Sequence, residues 1–201
     1  MTLKSKKTIV LTTIIMSFIL ILTCTFFLAE YLSRQNAPKT ISQIINNINL
    51  IDHKGKRFVS QTLKNQPSLI FFGFTHCPEV CPTTLSELSE ITDKLKTKII
   101  TTNIIFITLD PKRDTQEHLK DYISNFNENV IGITGDIINI KKLADNWGVF
   151  YETISSSKDD YTLNHTATVF MLDKKGNYKG TIAWGENKNS IIQKIINLSK
   201  Y

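Results

Sequence analysis

Two hydrophobic periodicities alternate along much of the chain. Apolar residues form almost continuous runs at 69–74 and 104–109, which is typical of strands buried on both faces of a sheet. Each run is followed by a segment, at 85–95 and at 119–126, in which apolar residues recur every three or four positions, as on the buried face of a helix. This alternation predicts two strand–helix units that share one sheet.

The pattern continues toward the C-terminus. A short apolar segment at 131–133 predicts a third strand, and helical spacing over 140–147 predicts the helix after it. Residues 167–172 and 178–184 flank an Asp-Lys-Lys-Gly turn, which indicates a β-hairpin. A last helix is predicted from the apolar positions at 191–196.

Two further segments complete the predicted domain, which we assign to residues 49–201. A hairpin is expected at 49–59, around a turn at 52–55, and the polar stretch at 152–164 is expected to be a mobile loop. The order of elements is that of an α/β domain with a thioredoxin-like fold, in which helices flank a central mixed sheet.

The N-terminal region has a different character. Residues 9–29 contain no charged side chain and are long enough, as a helix, to cross a hydrocarbon core of about 30 Å. The bulky Phe27 argues against a cleaved signal peptide, and Thr23 is a poor neighbour for a lipid-modified Cys24. We therefore predict an uncleaved transmembrane helix with Cys24 as a small apolar residue inside it.

The flanks of this helix predict its orientation. Lys4, Lys6 and Lys7 precede it, so residues 1–8 are expected to form a cytoplasmic stub. Residues 30–48 are polar, lack a clear period and are interpreted as a tether. The domain of this single-pass protein is then expected on the periplasmic or intermembrane-space side of an inner membrane.

Length, composition and charge indicate one globular domain with an appended segment and argue against nucleic-acid binding. A chain of 201 residues has room for one domain of roughly 150 residues plus an appended segment. Its 41% hydrophobic and 21% charged residues are those of an ordinary globular protein. The net charge of +6 comes from dispersed lysines, which argues against nucleic-acid binding.

Two cysteines follow the first buried strand, where open α/β sheets place their sites. Pro82 is suited to a first helical position, so Cys81 is predicted to cap the next helix, whose positive end would favour thiolates at Cys81 and Cys77. Three interpretations remain: a structural disulfide, a dithiol that exchanges disulfides, and a metal site. A disulfide across so small a loop would stabilise the fold little. A thiol peroxidase is a more distant alternative.

A histidine supports the metal interpretation. The cysteine spacing is one residue longer than C-x-x-C, and His165-Thr166 stand where thioredoxins usually have a proline that faces the dithiol. We expect His165 at the head of the next strand, facing both sulfurs. Two thiolates and one imidazole form a soft three-coordinate site, which suits copper, whereas structural zinc and iron–sulfur clusters take four protein ligands.

The remaining candidate residues receive structural interpretations. His53 in a turn and His118 on a polar helix face are predicted to be solvated. His76 is interpreted as a loop residue, with transient metal binding or lowering of the Cys77 thiol pKa as the alternatives. Asp110 and Asp114 are assigned to turn formation and helix capping rather than to paired catalysis.

Three segments of this sequence resemble one known family. They are, in chain order, FTHCPEVCPTTL at 74–85, LDPKRDT at 109–115 and YTLNH at 161–165. Together they resemble the Sco/SenC family, from about residue 49 to the C-terminus, and a membrane anchor also fits that family. Two departures are Glu79, where the family usually has Asp, and Thr166, where Ser is frequent.

The resemblance implies a function. It implies that Cys77, Cys81 and His165 bind copper, as Cu(I) with Cu(II) as a second state. It also implies a copper chaperone that takes the metal from an upstream donor and delivers it to the binuclear copper site of cytochrome c oxidase subunit II. Because family members are also implicated in reducing the cysteines of that subunit, a thiol-disulfide reductase is the alternative, acting there or on another envelope protein.

Overall fold

The structure, a computed structural model, describes residues 15–28, 41–97, 100–155 and 161–201. The chain divides into one unit at 1–39 and another at 40–201. In the first unit, residues 15–28 are helical (α1) and expose their apolar side chains. No helix within the described ranges combines the length and the apolar character needed to span a membrane. The predicted stub, and residues 9–14 and 29 of the predicted span, lie outside those ranges.

The second unit is built on a six-stranded mixed sheet. Its strands are β1 Leu50–Asp52, β2 Ser68–Gly73, β3 Asn103–Thr108, β4 Val130–Gly135, β7 Val169–Leu172 and β8 Tyr178–Ile182. Their order across the sheet is β1-β4-β3-β2-β7-β8; β2, β3 and β4 are parallel, and the outer strands pair antiparallel. A separate antiparallel pair consists of β5 Tyr151–Ser155 and β6 Tyr161–His165.

Five helices lie within the described residues of this unit. They are α2 Ile41–Asn46, α3 Val80–Lys96, α4 Gln116–Ile123, α5 Ile137–Asn146 and α6 Lys188–Leu198, with a short 3-10 turn at Ser60–Leu63. Each of α3 to α6 buries the apolar face that its periodicity indicates, and all six residues of β2 are buried. The thioredoxin-like α/β fold with a central mixed sheet is therefore confirmed.

Two predicted boundaries differ from the structure. The sequence pattern places residues 41–48 in the tether, but Ile44, Ile45 and Ile48 are buried in the core, so the folded unit includes α2. The predicted hairpin at 49–59 is confirmed over the shorter range 50–58: the Phe58 N–H donates to the Leu50 carbonyl, the Asp52 N–H donates to the Lys56 carbonyl, and Ile51 bridges Arg57, while β1 also pairs with β4. The rest of the predicted tether, 30–40, lies outside the described residues.

The polar stretch that was expected to be a loop is largely a two-stranded ribbon. Residues 152–155 and 161–164 pair across β5 and β6, so the loop prediction was wrong for these residues. Glu152 and Thr153 are exposed, whereas Leu163 is buried and Tyr151 and Tyr161 pack against the core. His165 ends β6 rather than heading β7, which also corrects its predicted position.

Candidate metal centre

The cysteine loop connects β2 to α3 at the C-terminal edge of the sheet. Helix α3 begins at Val80 after an N-cap at Glu79 that makes no side-chain capping bond, so Cys81 lies in the first turn and is not the cap. Instead, the backbone N–H of Cys81 donates to Sγ of Cys77 at 3.4 Å. The sulfur of Cys77 thus accepts one of the free N–H groups at the positive end of the helix.

The structure brings Cys77, Cys81 and His165 together. Sγ of Cys81 lies 3.6 Å from Nε2 of His165, and the potential ligand atoms of the three residues all lie within 4.8 Å of one another. Cys77 and Cys81 are free thiols. Because the loop after β2, the helix α3 and the strand β6 each supply one of these side chains, the site exists only in the folded domain.

The imidazole of His165 is oriented by its second nitrogen. Nδ1 lies 3.1 Å from the carbonyl oxygen of Thr166, which can only accept, so Nδ1 carries the proton and donates it. Nε2 then presents its lone pair toward Cys81, as a metal-ligating histidine does. The ring also packs against Phe71 and Phe74, with centroid separations of 6.1 and 5.8 Å.

The two thiols have opposite protonation preferences. A hydrogen bond from Cys81, assisted by the backbone N–H groups of Cys81 and Glu79, lowers the pKa of Cys77 to about 4 against the opposing effect of burial. The hydrogen bond to Cys77, together with burial, raises the pKa of Cys81. The metal-free pair therefore holds one proton, on Cys81, and presents a thiolate at Cys77.

Solvent reaches the site from one side. Cys81 is fully buried, whereas Cys77 and His165 are partly exposed. A metal ion or a partner thiol would therefore approach from the side of Cys77 and His165.

Arg113 anchors the strand that carries His165. Its guanidinium lies 3.7 Å from the ring centroid of Tyr161, the first residue of β6, and its Nη1 donates to the Tyr161 carbonyl at 2.9 Å. The Tyr161 hydroxyl donates to Asp110 at 2.9 Å, and Asp110 forms an ion pair with Arg113. The backbone of Asp110 does form the predicted turn, but its carboxylate also holds this cluster.

Asp114 has a different role from the one predicted. The helix N-cap is Thr115, which accepts from the His118 N–H at 3.2 Å. The Asp114 side chain is fully buried and accepts from the Thr75 backbone at 3.0 Å, the Thr75 hydroxyl at 2.6 Å and the Thr108 hydroxyl at 2.6 Å. Asp114 thus fixes the start of the cysteine loop against the end of β3.

The other histidines divide into two groups. His53 was predicted to be solvated, but it is 8% exposed and its Nδ1 accepts from the Gly132 N–H at 3.1 Å. That prediction was wrong because β1 and β4 enclose the turn, and burial lowers the pKa of His53. His76 and His118 are exposed, as expected for a loop and a polar helix face, but they lie beside Asp114 as a second cluster.

The fold and the cluster define a thioredoxin-like domain with two thiols and an imidazole at the carboxyl edge of its sheet. The model of the SCO1/SenC family matches residues 36–200, and the chain belongs to that family. A SCO2-like protein of Rickettsia prowazekii is 44% identical over 131 residues, which cover 64% of each chain, just under two thirds of that relative. A putative copper-binding protein of Stutzerimonas stutzeri is 32% identical over 69% of this chain and 68% of its own.

Two solved structures with copper bound are also similar to this chain. ScoI of Bradyrhizobium japonicum with copper bound superimposes with a TM-score of 0.68 at 34% identity, covering 75% of this chain and 96% of its own. Yeast Sco1 with copper bound superimposes with a TM-score of 0.70 at 30% identity, covering 76% of this chain and 86% of its own.

Proposed function

We propose that this protein is a membrane-anchored copper chaperone that delivers copper to the binuclear site of cytochrome c oxidase subunit II. The observation that carries the proposal is the convergence of Cys77, Cys81 and His165 within 4.8 Å. Copper-bound structures of two relatives support it.

The three side chains suit Cu(I), the proposed cargo. Thiolates are soft ligands, and a three-coordinate set of two sulfurs and one imidazole favours Cu(I) over structural zinc, which takes four protein ligands. Cys77 is held as a thiolate before the metal arrives, so only Cys81 must lose a proton on binding. Cu(II) is a second state that this mixed sulfur and nitrogen set can accept.

The unequal burial of the ligands suggests an order of transfer. An acceptor thiolate from subunit II would enter beside Cys77 and His165, the partly exposed ligands, and would replace them before Cys81. The upstream donor would load copper through the same opening, with Cys81 binding the metal before Cys77 and His165. Copper would then pass between proteins through shared intermediates without being released to solvent.

We further propose that residues 9–29 anchor the protein in an inner membrane by one span, with residues 30–40 as the tether. The uncharged sequence of 9–29 and the exposed apolar side chains of α1 support this. With Lys4, Lys6 and Lys7 on the cytoplasmic side, the domain would face the periplasm or the intermembrane space. Anchoring raises the effective concentration of the chaperone near a membrane-bound acceptor.

Copper binding by the full chain, purified in detergent under reducing conditions, tests the proposal. We expect one Cu(I) per chain and an X-ray absorption spectrum that fits two sulfur ligands and one nitrogen. His165→Ala should remove the nitrogen and weaken binding at least about tenfold. Asn164→Ala is the matched control, because Asn164 is an exposed neighbour on the same strand. Wild-type copper affinity in His165→Ala would contradict the assignment.

A reductase is the second candidate, favoured by the low pKa of Cys77. The Cys77 thiolate would attack an acceptor disulfide, Cys81 would resolve the mixed disulfide, and the two cysteines would end as a disulfide while the acceptor is reduced. This activity needs both cysteines but not His165. Reduction of a subunit II disulfide by His165→Ala at the wild-type rate, with copper binding also unchanged, would favour the reductase over the chaperone.

A further inference from the structure

A second group of potential metal ligands involves the cysteine loop and the start of α4. It consists of His76, Asp114 and His118, whose ligand atoms all lie within 4.8 Å of one another. The two imidazole rings are stacked, with centroids 5.4 Å apart and an interplanar angle of 28°. This cluster shares no residue with the Cys77, Cys81 and His165 group.

The hydroxyl of Thr75 marks the point on which the three side chains converge. Its Oγ1 lies 2.6 Å from Asp114 Oδ1, 3.1 Å from His76 Nδ1 and 2.9 Å from His118 Nε2. A hydroxyl can donate one hydrogen bond, and that of Thr75 donates it to the Asp114 carboxylate. The two ring nitrogens therefore point at an oxygen that already lies beside a carboxylate.

Asp114 gives the cluster a fixed, buried negative charge. Its Oδ2 is held by the Thr75 N–H and the Thr108 hydroxyl, while Oδ1 faces the histidines. Within the described ranges, the one basic side chain within 4.0 Å of this carboxylate is that of His76, with Nδ1 3.8 Å from Oδ1. A buried carboxylate balanced mainly by neutral donors favours a cation beside it.

The exposure of the two histidines makes this position reachable. Both imidazoles are exposed, with 44% of the His76 side chain accessible, so an ion can enter without opening the domain. His76 belongs to the loop and His118 to the first turn of α4.

We propose that His76, Asp114 and His118 form a second metal site, for a divalent ion of the zinc and copper(II) class. Imidazole and carboxylate are ligands that Zn²⁺ and Cu²⁺ accept, and three protein ligands leave a position for water or for the Thr75 hydroxyl. The site differs in chemistry from the thiolate centre, which selects Cu(I). Its existence does not depend on the proposed delivery of copper.

The test uses the full chain with Cys77→Ala and Cys81→Ala, so that the thiolate centre is absent. Titration with Zn²⁺ in a calorimeter should give one bound ion per chain, and Cu²⁺ should give an electron paramagnetic resonance spectrum with couplings to two nitrogens. His118→Gln and His76→Gln should each weaken binding at least tenfold and remove one nitrogen coupling. Glu117→Gln, which removes an exposed charge beside His118 without removing a ligand, should leave both results unchanged.

Folding of the background variant is checked by circular dichroism. If it does not fold, the wild-type chain is first loaded with Cu(I) and then titrated with Co²⁺. Bound cobalt should then show no sulfur-to-metal charge transfer, and His118→Gln should abolish its uptake. Absence of divalent binding in these measurements, or binding that both histidine variants retain, would overturn the second site while leaving the Cu(I) proposal intact.

Discussion

Gly73 lies directly against Cys81. A Cβ at Gly73 would be 2.7 Å from Sγ of Cys81 and 2.7 Å from Cε2 of Phe106. Gly73 ends β2, so the absence of its side chain lets the sulfur pack against the strand. The position of Cys81 therefore depends on a residue that has no side chain.

Gly73→Ala should both destabilise the protein and weaken copper binding. The added methyl group must displace a sulfur and an aromatic ring, at a cost of about 1–3 kcal/mol in the free energy of unfolding. Urea denaturation and Cu(I) competition measure the two effects. Gly132→Ala is the control, because its Cβ would meet Leu119 and Ile123 at 2.8 Å, away from the thiols. It should lower stability alone; an unchanged copper affinity in Gly73→Ala would be inconsistent with this account.

Arg113→Lys should weaken copper binding by up to roughly tenfold while leaving the thiols accessible. Lysine keeps the charge but loses the planar fork that stacks on Tyr161 and binds its carbonyl, so β6 and His165 would be held less firmly. Cu(I) competition measures the change. Lys112→Ala, at an exposed neighbouring position, should have no effect. Equal affinities of Arg113→Lys and the wild type would refute the positioning role.

Alkylation should reveal the Cys77 thiolate. Because the pKa of Cys77 is lowered to about 4, its rate with iodoacetamide in the reduced, metal-free chain should be nearly constant between about pH 6 and pH 8. An ordinary thiol would react roughly 80-fold faster at the upper pH. Mass spectrometry of the labelled peptide gives the rate.

The partner of Cys77 supplies the control for this measurement. Cys81→Ala removes the hydrogen bond that lowers the pKa of Cys77 most, so a steep pH dependence should return. If the alkylation rate of wild-type Cys77 rises with pH as that of an ordinary thiol does, Cys77 is not a thiolate that Cys81 stabilises, and the assignment of the proton to Cys81 is wrong.

Asp114→Asn should cost about 1–3 kcal/mol of stability. An amide NH₂ would face one of the three donors that now bind the carboxylate, and a buried donor would lose its acceptor. Thermal and urea unfolding measure the loss. Asp121→Asn is the control, since Asp121 is exposed on α4, the helix that follows Asp114, and should change stability little. Equal stabilities of the two variants would show that Asp114 does not hold the loop.

Several features of the site could not be obtained from spacing. Asp114 precedes a helix and therefore satisfied a capping pattern, but its partners Thr75 and Thr108 follow or end adjacent parallel strands. That adjacency was itself predictable, and the two threonines at one sheet edge were a signal for a buried polar partner. No sequence pattern indicated that His76 and His118 lie together, because His76 is in a loop and His118 is in a helix that follows a different strand.

The ribbon of β5 and β6 shows why polar stretches are ambiguous. Its residues are mostly polar, as in a loop, yet they pair with one another outside the main sheet. A strand that buries one side chain in five leaves little periodicity to detect. Its anchor, the contact of Tyr161 with Arg113, joins residues 48 positions apart and was equally hidden.

The sequence by itself determined the α/β architecture, because strands buried on both faces and helices buried on one face leave distinct hydrophobic periods. Its motifs also indicated the three residues Cys77, Cys81 and His165. Only the tertiary structure decided where His165 is carried, which thiol holds the proton and what Asp114 binds. Those properties depend on distances and burial between segments far apart in the chain, and no local pattern of residues encodes them.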